Sequence, residues 1–524
     1  MAFFRPESIL KGGFRSSFLQ AIAQTLAFAY SIVMAYCFGA IAATDVLNYC
    51  IGAFTIITSF LLSLDSAVLI PEAIRRRENR GEQAAQDFLN FFLFLYTAIV
   101  LSATILAILH PVEVLRTVSQ FAPDILAAHR SLIMWVLPVF LLTLLAQYLG
   151  SILNAYRFFS LSSFWAAFNR VINIAFVLLL HRKLGVIALA QALIVGTTIQ
   201  ILVQLWLLRR HLRWHFRFRI PDIAPKTIRD ILYTVLGLLV VAMAVFSPTV
   251  MGSGSTSGFV TAMNYATRMS MVPEILLTTQ IIVIIGIRFN ELLAHDDTTA
   301  FANLYERSIR FMFWLCSPLV ALLVLVAPEV LRILFLHGAF SEEALATTIT
   351  LFQGLVLCLP IIVYNGYLLQ AYSARQQLFA RNLMDICMNV GIFAALWLLV
   401  PRIGLLRYPL VKAACFYGIH FLWMLLARRS MPLIPLAKIY AFMLLEILIC
   451  TLLAIPAFLL LSVLRAHDIH PILRILAGTS AYVALWLLLN TLWHWNASAT
   501  STAMTLLRRF LQRFRNSPAP SSVP

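Results

Sequence analysis

An arginine stands near the middle of a long apolar stretch, Gly258 to Arg288. The stretch is long enough to cross the hydrocarbon core of a bilayer, which is about 30 Å thick, and Arg268 lies well inside its start. A charged side chain at that depth costs a few kcal/mol, so an ionisable residue there is by default a functional residue that faces a cavity or a partner. We therefore take Arg268 as the centre of a candidate binding site.

Polar residues accompany Arg268 on the same predicted helix. At helical spacing Thr261 and Asn264 share its face, and Glu274 lies on the adjacent face. Pro273 stands between the two charges and predicts a kink, which neighbouring side chains or water can satisfy in a helical bundle. This polar sector requires water, a ligand or other helices beside it.

Three carboxylates are candidate partners of Arg268. Asp45 lies at the start of the second apolar span, where an aspartate commonly caps a helix, and capping is the interpretation we favour for it. Asp65 lies deep in that span, so it either pairs with an arginine or titrates. A single salt bridge of Arg268 with Asp45, Asp65 or Glu274, and no ligand, is an alternative that this helix alone leaves open.

The elements that position these residues are membrane helices. Of 524 residues, 61% are hydrophobic and only 12% are charged, and apolar runs recur from one end to the other. This pattern predicts an all-α polytopic membrane protein. We predict about fourteen spans, near residues 17–40, 45–70, 86–109, 131–153, 163–181, 184–208, 228–248, 258–288, 308–327, 345–372, 379–400, 404–427, 435–464 and 471–494.

Most of the 39 lysine and arginine residues fall in alternate connecting segments. The positive-inside rule then predicts a multi-pass membrane protein with both termini in the cytoplasm. The connecting loops are too short for an extramembrane catalytic domain, and the motifs HExxH, GxSxG and the P-loop are missing. We predict no enzyme activity and no catalytic residue. The seven cysteines form no CxxC pair, so we predict no metal and no cofactor.

A basic and aromatic segment divides the chain. We predict an N-terminal lobe in 1–208, an interfacial linker in 209–227, a C-terminal lobe in 228–427, two additional helices in 428–495, and a basic then disordered tail in 496–524. The linker pattern can bind RNA, but beside two membrane spans it is better explained by contact with anionic headgroups. We expect no nucleic acid partner.

Five motifs, in order and spacing, resemble those of the MurJ-type (MviN) lipid II flippases of the multidrug/oligosaccharidyl-lipid/polysaccharide exporter superfamily. They are FGAIAATD (38–45), GSILNAYRFFS (150–160), YATRMSMVP (265–273), LFLHGAFS (334–341) and AYSARQQ (371–377). The resemblance implies two six-helix lobes around a central cavity and two C-terminal helices that form a groove for a lipid tail. It also implies that the protein flips a polyprenyl-pyrophosphate-linked sugar by alternating access.

Two family positions carry over by this resemblance, and two do not. Arg268 matches an essential cavity arginine, and Asp45 matches the acidic residue that closes the first motif. Where the family carries an Arg-Asp pair late in the first helix, this chain has Tyr30 and Ser31. Where the family carries paired arginines in the second helix, it has Thr58 and Ser59 or their neighbours. A pyrophosphate is best held by several guanidinium donors, so either another basic residue, such as Arg170, substitutes or the ligand differs from lipid II.

We predict a flippase for a polyprenyl-pyrophosphate-linked saccharide, either lipid II or an exopolysaccharide repeat unit. Arg268 would hold the pyrophosphate, Thr261, Asn264 and Glu274 would contact the sugar or line its path, and Asp45 or Asp65 would pair with Arg268 when the site is empty. The expected partners are this substrate and membrane lipids, with no obligate protein partner.

Three alternatives remain open at this point. The first is a proton- or sodium-coupled drug antiporter of the same superfamily, for which Asp65, Asp385 or Glu446 would titrate. The others are a membrane-embedded glycan enzyme and an assembly scaffold.

Overall fold

A computed structural model describes residues 9–430 and 434–493. This part of the chain is helical and holds no β-strand. Its α-helices are α1 (Ile9–Phe38), α2 (Ala42–Leu64), α3 (Ile70–Arg80), α4 (Glu82–Leu109), α5 (Pro111–Val118), α6 (Pro123–Ala128), α7 (Arg130–Ala155), α8 (Phe159–Leu184), α9 (Ile187–Leu212), α10 (Pro225–Ser253), α11 (Phe259–Ala294), α12 (Thr298–Phe335), α13 (Glu342–Val356), α14 (Leu359–Ala374), α15 (Leu378–Ile403), α16 (Tyr408–Ser430), α17 (Leu436–Ala466) and α18 (Pro471–Trp493).

Each of the fourteen predicted spans coincides with a long helix or a consecutive pair of helices, which confirms the predicted fold class. Twelve of them are long and apolar enough to cross a membrane, judged by length and composition within the described residues. The other two are α11, which carries Arg268 and Glu274, and α16, which carries Lys412. The sequence analysis did not predict α5 and α6, the two short helices between α4 and α7.

The second span is one continuous helical run with an irregular centre. After α2 the backbone forms a π-turn, Asp65–Leu69, and then continues as α3 to Arg80. A π-turn inserts an extra residue into the helical hydrogen-bond ladder, and such turns are frequent at functional sites. The irregularity therefore falls on Asp65, one of the two buried aspartates of this span, the other being Asp45 near its start.

The described chain divides into two compact units. Within the described residues, the first comprises 9–268, 334–348 and 392–408, and the second comprises 269–333, 349–391, 409–430 and 434–493. In the first unit, α1 packs along α8, and α7 packs against α2, α4 and α9. Its buried core includes Phe88, Tyr148 and Trp165. The lobe boundaries predicted from the sequence stay a prediction.

The second unit fixes α17 and α18 to α12 through buried polar contacts. The Arg465 guanidinium binds both carboxylate oxygens of the buried Glu329, at 2.6 and 3.0 Å. The Trp314 indole N–H donates to the Asn490 side-chain oxygen at 2.8 Å. Each contact pairs a polar group of α12 with one of α17 or α18, and it forms only at one position along the helices. These contacts therefore fix how α17 and α18 are placed along α12.

The predicted linker is docked on the first unit. Helix α9 continues to Leu212 and α10 begins at Pro225, so the segment outside regular secondary structure is residues 213–224. The indole N–H of buried Trp214 donates to the Asn90 side-chain oxygen at 2.8 Å, and the Asn90 amide donates to the His215 carbonyl at 2.7 Å. An Arg76 guanidinium N–H also donates to the Asp222 carbonyl at 2.5 Å.

The outward side of the docked linker is exposed. Phe218 and Ile220 are 62% and 74% exposed, and they alternate along the chain with the exposed Arg217 and Arg219. The contact with lipid headgroups stays a prediction. The predicted tail, residues 496–524, lies outside the described residues.

Candidate functional site

Arg268 is held by side chains from two helices of the first unit. Its Nε donates to the Asn264 side-chain oxygen at 2.6 Å, one turn back on α11, and its Nη1 donates to the Ser31 hydroxyl of α1 at 3.4 Å. Ser31 is buried, whereas Asn264 and Arg268 are half-buried. The predicted shared face of Asn264 and Arg268 is therefore present as a direct hydrogen bond.

A second arginine joins Arg268 at one aromatic ring. The guanidinium carbon of Arg268 lies 5.8 Å from the centroid of the Tyr30 ring, and that of Arg170 lies 5.4 Å from the same centroid. Both distances fall within the range of cation–π attraction. The close packing of α1 on α8 brings Arg170 to this ring. We call Tyr30, Ser31, Arg170, Asn264 and Arg268 the arginine cluster.

The arginine cluster is cationic. Within residues 9–430 and 434–493, no ion pair includes Arg170 or Arg268. The salt bridge that we predicted from Arg268 to Asp45 or Asp65 is therefore not formed. Two like charges held together inside an apolar span favour an anion with more than one negative charge.

Asp45 instead binds the start of α11. One carboxylate oxygen accepts from the Gly258 N–H at 2.6 Å, and the other accepts from the Thr261 N–H and hydroxyl at 2.8 and 2.7 Å. A carboxylate at a helix N-terminus satisfies N–H groups that have no partner within the helix. The prediction of a cap was right in kind but named the wrong helix, because α2 itself begins at Ala42, after Ile41.

Thr261 belongs to this cap. It is fully buried, and its hydroxyl also accepts from the Asn48 amide of α2 at 3.2 Å. Gly258, just before α11, has a φ of +89°, and a side chain there would meet the Ala40 carbonyl oxygen at 2.5 Å. Only glycine fits both demands. The structure thus assigns Thr261 contacts with α2, as part of the cap.

The other two predicted site residues have different surroundings. Asp65 lies in the π-turn of the second span, and the Tyr96 hydroxyl of α4 donates to it at 3.4 Å. Glu274, half-buried on α11 in the second unit, interacts electrostatically with Lys412 of α16.

The sequence analysis missed Lys412, although a lysine early in an apolar span is a signal that could have identified it as a candidate site residue. It also named Tyr30 only as a departure, whereas the ring holds both arginines.

These arrangements were compared with known proteins. The sequence profile of the family described as "Lipid II flippase MurJ" matches residues 34–478, which is most of the chain.

The chain belongs to the lipid II flippase MurJ family.

Two MurJ relatives show how far this similarity extends. The probable lipid II flippase MurJ of Buchnera aphidicola subsp. Baizongia pistaciae is 22% identical over 417 residues, which are 76% of this chain and 79% of that protein. The probable lipid II flippase MurJ of Aquifex aeolicus is 24% identical over 76% of this chain and 80% of that protein. The resemblance predicted from the five motifs is confirmed.

Solved structures show the same MurJ fold. A lipid II flippase MurJ in an inward closed conformation superposes with a TM-score of 0.72 at 15% identity, covering 92% of this chain and 99% of that one. An inward-facing transporter of the multidrug resistance MATE family superposes with a TM-score of 0.65 at 15% identity, covering 79% and 96%. At such identities the superpositions show the fold alone, and that fold is shared between flippases and drug transporters.

Proposed function

We propose that this protein flips a polyprenyl-pyrophosphate-linked saccharide across the bacterial inner membrane by alternating access. The observation that carries the proposal is the arginine cluster, in which Arg170 and Arg268 approach one ring with no acidic partner in the described chain. A pyrophosphate that is esterified at both ends is a compact dianion, and guanidinium groups bind its oxygens through charge-assisted hydrogen bonds.

Each member of the arginine cluster has a role in this binding. Asn264 and Ser31 bind two donors of Arg268 and so fix the direction of its guanidinium group. The remaining N–H groups of Arg268 bind a phosphate oxygen, and Arg170 supplies the second positive charge. The Tyr30 ring lies beside both cations and offsets part of their mutual repulsion through its electron-rich face.

Arg170 supplies a guanidinium group in place of the one that this chain lacks in its first helix. This chain has Tyr30 and Ser31 where the family pattern places an arginine and an aspartate in the first helix. The lost guanidinium is replaced from α8, since Arg170 reaches the Tyr30 ring itself. The number of guanidinium groups for a pyrophosphate is thus restored by a different helix.

The relatives guide the choice of substrate. Those that match this chain carry the name lipid II flippase, so lipid II is the first candidate and an exopolysaccharide unit on the same carrier is the second. The carrier and the pyrophosphate are common to both. The arginine cluster binds this shared part, whereas the sugar contacts, for which Glu274 is our candidate, would distinguish the two substrates.

The orientation follows from charge. Arginine residues 75, 76, 77 and 80 at the end of α3 and the docked linker mark the cytoplasmic side under the positive-inside rule. This assignment places both termini in the cytoplasm. The protein acts as a transporter, with no covalent change to its substrate.

Complementation tests the proposal. The gene is expressed in a bacterial strain depleted of its own lipid II flippase, as wild type, Arg268→Ala, Arg170→Ala and Arg182→Ala. Arg182 is the matched control, because it lies on α8 like Arg170 but is exposed at the end of that helix. We expect growth with wild type and with the control, and none with Arg268→Ala at equal membrane levels.

Two outcomes would contradict parts of the proposal. If wild type fails to rescue while deletion in the native host removes an exopolysaccharide, the substrate is the second candidate. If Arg268→Ala and Arg170→Ala both support growth as wild type does, the arginine cluster is not the pyrophosphate site.

A further inference from the structure

Asp65 is a carboxyl group enclosed in the core of the first unit. Its residue is 2% exposed, and it stands in the π-turn of the second span against a core that includes Tyr96 and Tyr148. The Tyr96 hydroxyl approaches one oxygen at 3.4 Å, which is long for an O–H···O hydrogen bond. An ionised carboxylate accepts several hydrogen bonds, whereas only two hydroxyls act on Asp65 in the described residues, that of Tyr96 at this long distance and that of Ser151.

No cation compensates Asp65 in the described part of the chain. The groups that act on it are the hydroxyls of Tyr96 on α4 and Ser151 on α7. The charged residues of α4 and α7, Glu82, Asp87 and Arg130, lie at or near helix ends.

The remaining elements beside the π-turn are α2, α10 and α3, and the titratable residues of α2, Asp45, Tyr49 and Cys50, lie in its first half. The titratable residues of α10, which also packs against the turn, lie near its start and are Lys226, Arg229, Asp230 and Tyr233. Further along the same helical run, Glu72 is already paired with Arg75 and Arg76.

The space beside Asp65 is too small to hydrate a charge. Thr58, Gln147 and Tyr148 are among the residues that line an adjoining cavity of about 10 Å³. That volume is close to the minimum for a single water. A carboxylate needs several water or protein donors when it leaves bulk solvent, and without them the neutral acid is the stable form. The surroundings of Asp65 therefore favour the protonated carboxyl group over the carboxylate.

We propose that Asp65 is a proton-binding site, neutral in this conformation and ionised when a rearrangement of the second span admits water. In that step the O–H bond of the acid breaks, the proton passes to water, and the hydrated carboxylate carries the negative charge. The reverse step takes one proton from water before the carboxyl group is buried again. The π-turn places this residue where the helical hydrogen-bond ladder is irregular, and such irregular turns are frequent at functional sites.

A proton site whose access to water changes during the transport cycle couples transport to a proton gradient. A ligand shifts an equilibrium between two conformations only when it binds them with different affinity. Asp65 binds a proton with higher affinity in the conformation that excludes water from it than in a conformation in which it is hydrated. This coupling rests on the proposed flippase function, whereas the proton site itself does not.

Infrared spectroscopy tests the site directly. The full-length protein in lipid is titrated with acid and base, and the carbonyl stretch of protonated carboxyl groups is recorded for wild type, Asp65→Asn and Asp385→Asn. Asp385 is the matched control, an aspartate in the predicted eleventh span that is only half-buried. We expect a protonated carboxyl band near neutral pH that Asp65→Asn removes and Asp385→Asn keeps.

Other buried carboxyl groups do not confuse the result. A band from Glu446, for example, is shared by wild type and Asp65→Asn and cancels in their difference spectrum. Should Asp65→Asn fail to fold, Tyr96→Phe serves instead, because loss of the Tyr96 hydroxyl shifts the frequency of the Asp65 band while the acid stays in place.

Three results would overturn the proton site. The first is an empty difference spectrum between wild type and Asp65→Asn together with an unshifted band in Tyr96→Phe. The second is a wild-type spectrum that shows an ionised Asp65 near neutral pH. The third is loss of the Asp65 band when sodium replaces choline at constant pH, which would assign the site to a monovalent metal ion.

Transport measurements then test the coupling. In proteoliposomes, we expect the wild-type rate to change when a pH gradient is imposed and the Asp65→Asn rate to be the same with and without the gradient. A gradient response that Asp65→Asn retains overturns the coupling. The infrared result stands even if the transported molecule is not a lipid-linked saccharide, so failure of the proposed function and failure of the proton site are distinguishable.

Discussion

Arg170 of α8 and Arg268 of α11 place their guanidinium carbons 5.4 and 5.8 Å from the centroid of one aromatic ring, that of Tyr30. Like charges at such proximity inside an apolar span repel each other, and a bound anion removes that repulsion. The pair therefore favours a ligand with two or more negative charges over a singly charged one.

Replacing either arginine of this pair is expected to weaken the binding of polyprenyl pyrophosphate. Each alanine variant, Arg170→Ala or Arg268→Ala, loses a charge-assisted hydrogen bond of about 2 kcal/mol, which raises the Kd by roughly 30-fold. Titration of undecaprenyl pyrophosphate into the purified protein measures this change. Arg182→Ala should keep the wild-type Kd, and an equal loss in that control would show that overall charge, and not the arginine cluster, sets the affinity.

The Tyr30 ring is expected to contribute through its face. Tyr30→Phe keeps the cation–π contacts and the affinity for pyrophosphate, whereas Tyr30→Leu removes them and costs about 1 kcal/mol or more. The same titration distinguishes the two substitutions. Equal affinities for Phe and Leu at this position would mean that the ring only fills space.

Loss of the Asp45 cap is expected to destabilise the first unit. Asp45→Ala leaves the Gly258 and Thr261 N–H groups buried without a partner, at a cost of about 3 kcal/mol, and Thr261→Val removes the hydroxyl contacts with Asp45 and Asn48 at about 1 kcal/mol each. Thermal unfolding of the solubilised protein measures both. The exposed Asp124 provides the control, since Asp124→Ala should change stability by less than about 0.5 kcal/mol. Equal melting temperatures for Asp45→Ala and this control would refute the role of the cap.

Docking of the linker is expected to depend on Asn90. Asn90→Leu leaves the Trp214 indole N–H and the His215 carbonyl without their partner, at about 2 kcal/mol, so hydrogen exchange of residues 213–224 should accelerate by roughly 30-fold. Arg219→Gln is the comparison, because its pair with Asp87 spans 3.6 Å and is 75% exposed on the arginine side. An ion pair that is so exposed contributes little free energy to docking of the linker. If hydrogen exchange accelerates in Arg219→Gln and not in Asn90→Leu, the ion pair of Arg219 with Asp87 holds the linker and Asn90 does not.

The sequence by itself determined the membrane architecture. Apolar runs long enough to cross a bilayer specify helices, because a chain in lipid must satisfy its own backbone hydrogen bonds. The five motifs specified the family, and the depth of Arg268 in its span specified a functional arginine. These features are local in the chain, so the order of residues is sufficient to recognise the spans and the family, and the functional role of Arg268 stays a prediction.

The tertiary structure alone decided which side chains meet. Arg170 and Arg268 are far apart in sequence, and only the packing of α1 on α8 brings Arg170 to the Tyr30 ring that Arg268 also approaches. Asp45 was equally suited to cap its own helix or another, and the position of α11 selected the second. The sequence alone predicted that Asp65 either pairs with an arginine or titrates. The fold encloses Asp65 beside Tyr96, and no ion pair with Arg268 is formed in the described residues. Contacts between distant segments depend on how helices pack in three dimensions, and the spacing of residues along one chain does not contain that information.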